Sequence, residues 1–189
     1  MEDSIEENSD CVMPGGGSGE VPGVLPPWRL NEIILLAFEI LNAEEYYKDG
    51  FDFKEMITSK GIRLKKFSDF APKNIARLRE LSLSFWNEGL CIAFPDPVTG
   101  EQCRMIAYNE KLPDSERMQV ILHEFGHLMM RHTQQSINGE VEATCFALAM
   151  TLLVVMEKVF HAGRNAVRQG GRPFLVQGMR DALKRRDAV

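Results

Sequence analysis

The chain has 189 residues, 44% hydrophobic and 26% charged, which fits one globular domain plus a tail and excludes a collagen-like or coiled-coil rod. With 22 Lys and Arg against 27 Asp and Glu, the net charge of −5 excludes a strongly basic nucleic-acid binder. Four scattered cysteines with no CxxC pair fit a reducing compartment, and no uninterrupted apolar run reaches the ~18 residues of a bilayer span, so the expectation is a cytoplasmic protein without a membrane partner.

Residues 1–27 hold six acidic and no basic side chains, together with Gly15-Gly16-Gly17-Ser18-Gly19 and Pro26-Pro27. They bury too little apolar surface to offset ordering, so they read as a disordered acidic arm. Their acidic start cannot act as a secretory signal. The folded domain is expected over 28–160, and 161–189 reads as a basic helical extension packed on it. A helix is predicted from 30 to 41, entered through Pro27. Asp49-Gly50 breaks it. A short helix over 52–59 stops at Lys60-Gly61, and Ile62-Arg63-Leu64 alternates like a strand. Residues 72–87 read as a helix, with Ile75, Leu78, Leu81 and Phe85 near helical spacing and Gly89 just past the end. Residues 90–94 and 104–108 flank a turn-rich stretch from Pro95 to Gly100, which predicts a β-hairpin. The next helix opens near Asp114 or Ser115 as cap and runs through Arg131. A long helix follows over 140–160, apolar nearly all round, as a buried central helix is. Gly170-Gly171-Arg172-Pro173 is a break before a last helix from 174 to about 185. The expected class is α+β, several helices around one small antiparallel sheet.

Within the helix ending at Arg131 lies His123-Glu124-Phe125-Gly126-His127, an H-E-x-x-H pattern. Four residues turn a helix by about 400°, so the two imidazoles point within ~40° of each other, ~6 Å apart along the axis. Both can place a ring nitrogen on one zinc ion. Glu124, on the same side, is placed to take a proton from zinc-bound water and deliver it to a leaving group. The bland alternative is two surface histidines one turn apart. Gly126 in mid-helix costs ~1 kcal/mol relative to Ala, which points to a close backbone approach.

A catalytic zinc needs a third protein ligand and an open position. Downstream candidates are His132, Glu140, Glu142, Glu157 and His161. Five residues past His127, a continued helix turns His132 away from the shared face. Glu142 precedes Phe146, Ala149, Met150 and Leu153 on their inward stripe, whereas Glu140 sits near the helix start, where a solvated capping role suffices. Spacing therefore favours Glu142 over Glu140. Cys145 reads as a packed core thiol or as a lining of the same cavity.

These residues resemble the ImmA/IrrE-type metallopeptidases. The resemblance covers about 30–160 and is dense from Gly89 to Leu153. Its marks are Met105-Ile106-Ala107-Tyr108-Asn109, Arg117 six residues before His123, the run from His123 to Leu128, His132, and Glu142-Ala143-Thr144-Cys145-Phe146-Ala147, similar to the family's Glu-Ala-x-x-Phe-Ala. Thr144 stands where the family usually has Asn, and Leu152-Leu153-Val154-Val155 replaces its Leu-Leu-Met-Pro ending. The resemblance implies a mostly helical, zincin-like minimal metalloprotease fold, the hairpin packed on the H-E-x-x-H helix, with zinc held by His123, His127 and Glu142. It further implies an endopeptidase that cleaves a protein partner, a helix-turn-helix repressor, to derepress mobile-element or stress genes.

Tyr108 and Arg117 are candidates for holding the substrate carbonyl or its oxyanion. A packed strand residue and a helix-surface ion-pair donor are the plain alternatives. The strand before the zinc helix is a candidate for pairing with an extended substrate. From Lys158 to Arg186 eight basic residues stand against Asp181, as a solvated face, a contact for an acidic partner, or a contact for the −6 arm, whose Cys11 could reach the zinc. Two other functions use the same residues: a regulatory binding module that does not cut, and a toxin-like zinc hydrolase.

Overall fold

The computed structural model describes residues 23–95, 100 and 102–165. The acidic arm to residue 22 with Cys11, the hairpin tip at 96–99, the side chain of His161, and the last helix with most of the basic extension lie outside the described residues.

Helix α1 (Pro27–Ala43) begins with Pro27, whose missing N–H is no loss in a first turn, and buries Ile33, Ala37, Phe38 and Leu41 on one side. Helix α2 (Phe53–Ser59) is capped by Asp52, whose carboxylate accepts from the N–H groups of Lys54 (2.7 Å) and Glu55 (3.0 Å). Strand β1 (Ile62–Lys66), a 3-10 turn at Phe67–Asp69 and helix α3 (Pro72–Glu80) lead to β2 (Gly89–Pro95) and β3 (Gln102–Tyr108). Then come α4 (Asp114–Met129) and α5 (Ile137–Asn165).

The hairpin forms as expected, β2 antiparallel to β3 with Cys91 opposite Ile106. The sheet as a whole is mixed: β3 lies between β2 and β1, and β1 runs parallel to it, Ile62 level with Arg104. Alternation reports which face a strand buries, not which neighbour it pairs with, so the parallel edge was not readable from residues 62–64. One sheet face, with Cys91, Ile106 and Tyr108, joins the main core around α1, α4 and α5. The other, with Leu90, Ile92 and Ala107, packs on Phe67, Phe70 and Leu78.

The expected helix over 72–87 stops at Glu80. Leu81 and Phe85 then stand 63% and 53% exposed, so two of the four residues that suggested helical spacing bury little. Ser82 and Ser84 end it: each hydroxyl accepts from the backbone N–H two residues on (3.2 and 3.0 Å), an alternative to the helical bond. The Leu83 N–H donates to the Cys91 carbonyl, laying this segment along β2.

Nine consecutive residues of α4, Val120 to Leu128, are buried between sheet and α5. A Cβ on Gly126 would stand 3.1 Å from Phe146 Cδ1 and 3.2 Å from Ala143 Cα. The glycine thus permits the backbone contact of α4 with α5 that the sequence pointed to. Gly126→Val is expected to cost about 2–3 kcal/mol by overpacking, read as a lowered denaturation midpoint; an unchanged midpoint would show that the spacing is set elsewhere. The stretch Ile137–Phe160 of α5 is long and apolar enough to cross a membrane by length and composition. Here Ala143, Phe146, Ala147, Met150, Leu153, Val154 and Glu157 are buried inside the protein, whereas Leu148, Leu152, Val155, Val159 and Phe160 are exposed, so α5 is buried where it meets α1 and α4 and keeps an apolar face outside, short of the expected all-round burial.

Candidate metal centre

His123 and His127 project from the buried turn of α4, and both are fully buried. Their Nε2 atoms lie 3.2 Å apart, close to the ~3.3 Å separating two nitrogens bound ~2.0–2.1 Å from one tetrahedral ion. The third group at this point is Glu140. Its Oε2 is 3.1 Å from His123 Nε2 and its Oε1 is 3.5 Å from His127 Nε2. One ligand atom from each of the three lies within 4.8 Å of the others.

The sequence-based preference for Glu142 is corrected by this placement. The Glu142 carboxylate is gripped by Arg29 of α1, Nε to Oε1 at 2.7 Å and Nη2 to Oε2 at 2.8 Å, and it accepts from His132 Nε2 at 3.0 Å. The face argument placed Glu142 correctly on the stripe of Phe146, Ala149 and Met150. However, α5 is buried on more than one side, and inward is not a single direction. The α4 side is marked by Glu140, Ala143 against Gly126, Thr144 against His123, and Thr151 against Gln119. That is helical spacing counted from Glu140.

The fate of His132 also departs from expectation, because α4 ends at Met129 instead of continuing through Arg131. Arg131 takes a left-handed conformation (φ 57°), the His132 N–H donates to the His127 carbonyl, and the ring comes back to place its Nδ1 2.8 Å from His127 Nδ1. Burial pushes His132 below the ordinary histidine value, against the raising effect of Glu142.

The hydrogen-bond network assigns the ring protons. Thr144 Oγ1 donates to the Glu140 carbonyl at 2.8 Å, so it accepts from His123 Nδ1 at 3.3 Å. Neutral His132 donates from Nε2 to Glu142, so its Nδ1 accepts from His127 Nδ1. Both ligand rings then direct an Nε2 lone pair at the same point as a carboxylate oxygen. Three converging lone pairs repel unless a cation sits among them, and two nitrogens with one oxygen suit zinc. The residues present fit the group that the H-E-x-x-H pattern implies.

Glu124 is fully buried beside the centre, and among the described residues neither of its carboxylate oxygens makes a hydrogen bond of ordinary geometry. Burial raises it to about 7, opposed by the nearby Cys91 thiol and Ser84 hydroxyl. A carboxyl at that value is suited to taking and returning a proton near neutrality. The segment after α3 closes over the site. Trp86 stacks on the His123 ring, centroids 4.0 Å apart and planes 15° off parallel, and the Phe85 N–H donates to Glu140 Oε1 at 2.8 Å. The sequence reading missed Arg29, Trp86 and Phe85. Trp86 stood within an expected helix, and no periodicity links Arg29 to Glu142 across 113 residues.

Of the lesser candidates, Arg117 is engaged at the start of α4, donating to the carbonyls of Glu110 (3.1 Å) and Leu112 (3.3 Å) and pairing with Asp114. The plain reading of an ion-pair donor describes those contacts. Pro113 takes the cap position without a side-chain bond, in place of Asp114 or Ser115. Tyr108 is buried in the main core with Lys54 Nζ 5.8 Å from its ring centre. Cys145 packs half-buried against the same core. Strand β3 cannot pair with a substrate, since both of its edges are taken.

Compared with curated proteins and with solved structures, the chain has no match. A family model does match, over residues 60–161, from β1 through α4 and nearly all of α5. The segment so matched carries the two imidazoles, the Glu140 carboxylate and the buried Glu124, and the chain belongs to the Peptidase_M78 family, the IrrE N-terminal-like domain.

Proposed function

We propose that the protein is a zinc-dependent endopeptidase in which His123, His127 and Glu140 hold the metal and Glu124 is the general base. The observation that carries this reading is the convergence of three donor atoms within 4.8 Å next to a fully buried carboxyl that makes no hydrogen bond of ordinary geometry among the described residues. A zinc ion, when bound, supplies Lewis acidity toward the peptide carbonyl and the attacking water. Glu124 takes the proton of that water on its carboxylate and returns it to the departing amide nitrogen. Trp86 holds the face of His123, and the segment from Ser82 to Trp86 excludes bulk solvent, which strengthens these electrostatic interactions.

The substrate we propose is a protein partner of the helix-turn-helix repressor class, whose cleavage releases the genes it silences. The family resemblance supports that choice. The complete burial of His123, Glu124 and His127 favours a second reading, a metal-holding binding module that does not cut. One experiment separates the two. Protein loaded with one equivalent of zinc is incubated with a library of proteome-derived peptides and with candidate repressors, with and without a chelator. The expected result is chelator-sensitive new termini. Stoichiometric zinc with no cleavage of any substrate would replace the peptidase by the binding module.

A further inference from the structure

His127 offers one ring nitrogen to the metal centre, and its other nitrogen begins a chain of bonds that leaves the site. His127 Nδ1 meets His132 Nδ1 at 2.8 Å, His132 Nε2 meets Glu142 Oε2 at 3.0 Å, and Glu142 is held by both arms of the Arg29 fork at 2.7 and 2.8 Å. The direction of every proton follows from the outer end. A guanidinium only donates, so Glu142 accepts. A carboxylate accepts, so His132 Nε2 carries a hydrogen. The same neutral ring then presents a lone pair at Nδ1, and His127 Nδ1 must donate to it. The His127 lone pair is thereby fixed at Nε2, facing His123 and Glu140.

We infer that Arg29, Glu142 and His132 are positioning residues for the metal ligand His127, and that the docking of α1 sets the affinity of the centre for zinc. The inference rests on the proposed reading that His123, His127 and Glu140 bind the metal. It goes beyond the family match, because Arg29 lies on α1, outside residues 60–161. A carboxylate bonded directly to a ligand ring would raise the ring's basicity strongly. Here a neutral imidazole stands between, and Arg29 offsets the charge, so the chain acts mainly by fixing tautomer and orientation. The geometry leaves little slack: the Arg29–Glu142 pair is bidentate, which holds the carboxylate plane as well as its position. Coupling of this kind is reciprocal, so whatever loosens α1 loosens the metal, and zinc in turn secures α1.

The test compares wild type with Arg29→Met, Glu142→Ala and the double variant. Zinc affinity is read by chelator competition, and the geometry of the site by the visible spectrum of the cobalt(II)-loaded protein. Glu32→Gln, which removes the other partner of Arg29, is the control. Each single variant is expected to weaken zinc binding by about 10–100-fold, the range for outer partners of ligand histidines, and to shift the cobalt bands at saturation. The double variant is expected to bind no more weakly than the poorer single one, since both break one chain. Arg29→Lys keeps the charge but loses the fork, and is expected to fall between wild type and Arg29→Met; it decides the matter if Arg29→Met does not fold. Affinity within twofold of wild type and an unchanged cobalt spectrum in the folded variants would overturn the inference and leave the metal site standing. A wild-type protein that takes up no zinc would overturn both.

Discussion

Glu140→Gln is expected to lose stoichiometric zinc, with affinity reduced by more than about 100-fold, beyond the range for residues that act only through a ligand. The substitution keeps the shape of the side chain and an acceptor for the Phe85 N–H, which donates to Oε1 at 2.8 Å, so the packing around Trp86 survives. The charge is what disappears. Two neutral imidazoles 3.2 Å apart then have only an amide oxygen to help neutralise a divalent ion in a buried site, where desolvation makes an uncompensated charge costly. Glu142→Gln is the comparison. It leaves the three converging donors intact and weakens only the support of His132, so its loss of affinity is expected to be at least several-fold smaller. Metal content by mass spectrometry and chelator competition read both variants. If Glu142→Gln abolished binding while Glu140→Gln left it intact, the third ligand would be the residue that the stripe of Phe146 and Met150 first suggested.

That exchange of two glutamates shows what a sequence does and does not encode. The H-E-x-x-H spacing is local, fixed by the pitch of one helix, and it placed His123, Glu124 and His127 together correctly. The same holds for the hairpin, whose turn residues lie between two apolar runs, and for Gly126, whose missing side chain announced a close neighbour. The third ligand depends on how two helices are rotated against each other. Apolar periodicity finds the buried side of α5, but α5 is packed against both α1 and α4, and a period of 3.6 cannot say which partner a given inward residue meets. His132 stays out of the converging group as the spacing suggested, but by another route: the 500° turn counted past His127 assumed a helix that had already ended at Met129. Arg29 and Trp86 carried no signal of their own. Their importance comes from contacts with Glu142 and His123, far away in the chain, and a single sequence without its folding gives no measure of such distances.

Glu124→Gln carries the largest expected effect on the reaction. It is expected to bind zinc as wild type does, because neither carboxylate oxygen of Glu124 is among the converging donors, and to cleave more slowly by about 10²–10⁴-fold, the contribution of a positioned general base. Its effect on stability should run the other way. The wild-type carboxyl is fully buried and among the described residues neither oxygen makes a hydrogen bond of ordinary geometry, an arrangement that costs folding energy and is tolerated where chemistry needs it. Glutamine has the same outline without the charge, so the metal-free variant should unfold at a temperature no lower than metal-free wild type. Gly89 adds a constraint on the choice of substitution. A Cβ there would stand 2.8 Å from Glu124 Oε1 and 2.6 Å from Val120 Cγ1, so the backbone of β2 walls the Glu124 pocket closely and a side chain larger than glutamate would displace the strand, while glutamine fills the same space. The combination of retained zinc, lost cleavage and undiminished stability marks a group kept for its proton chemistry. A variant that cleaved at the wild-type rate would remove Glu124 from the mechanism, and one that lost its zinc as well would make the carboxylate part of the metal site.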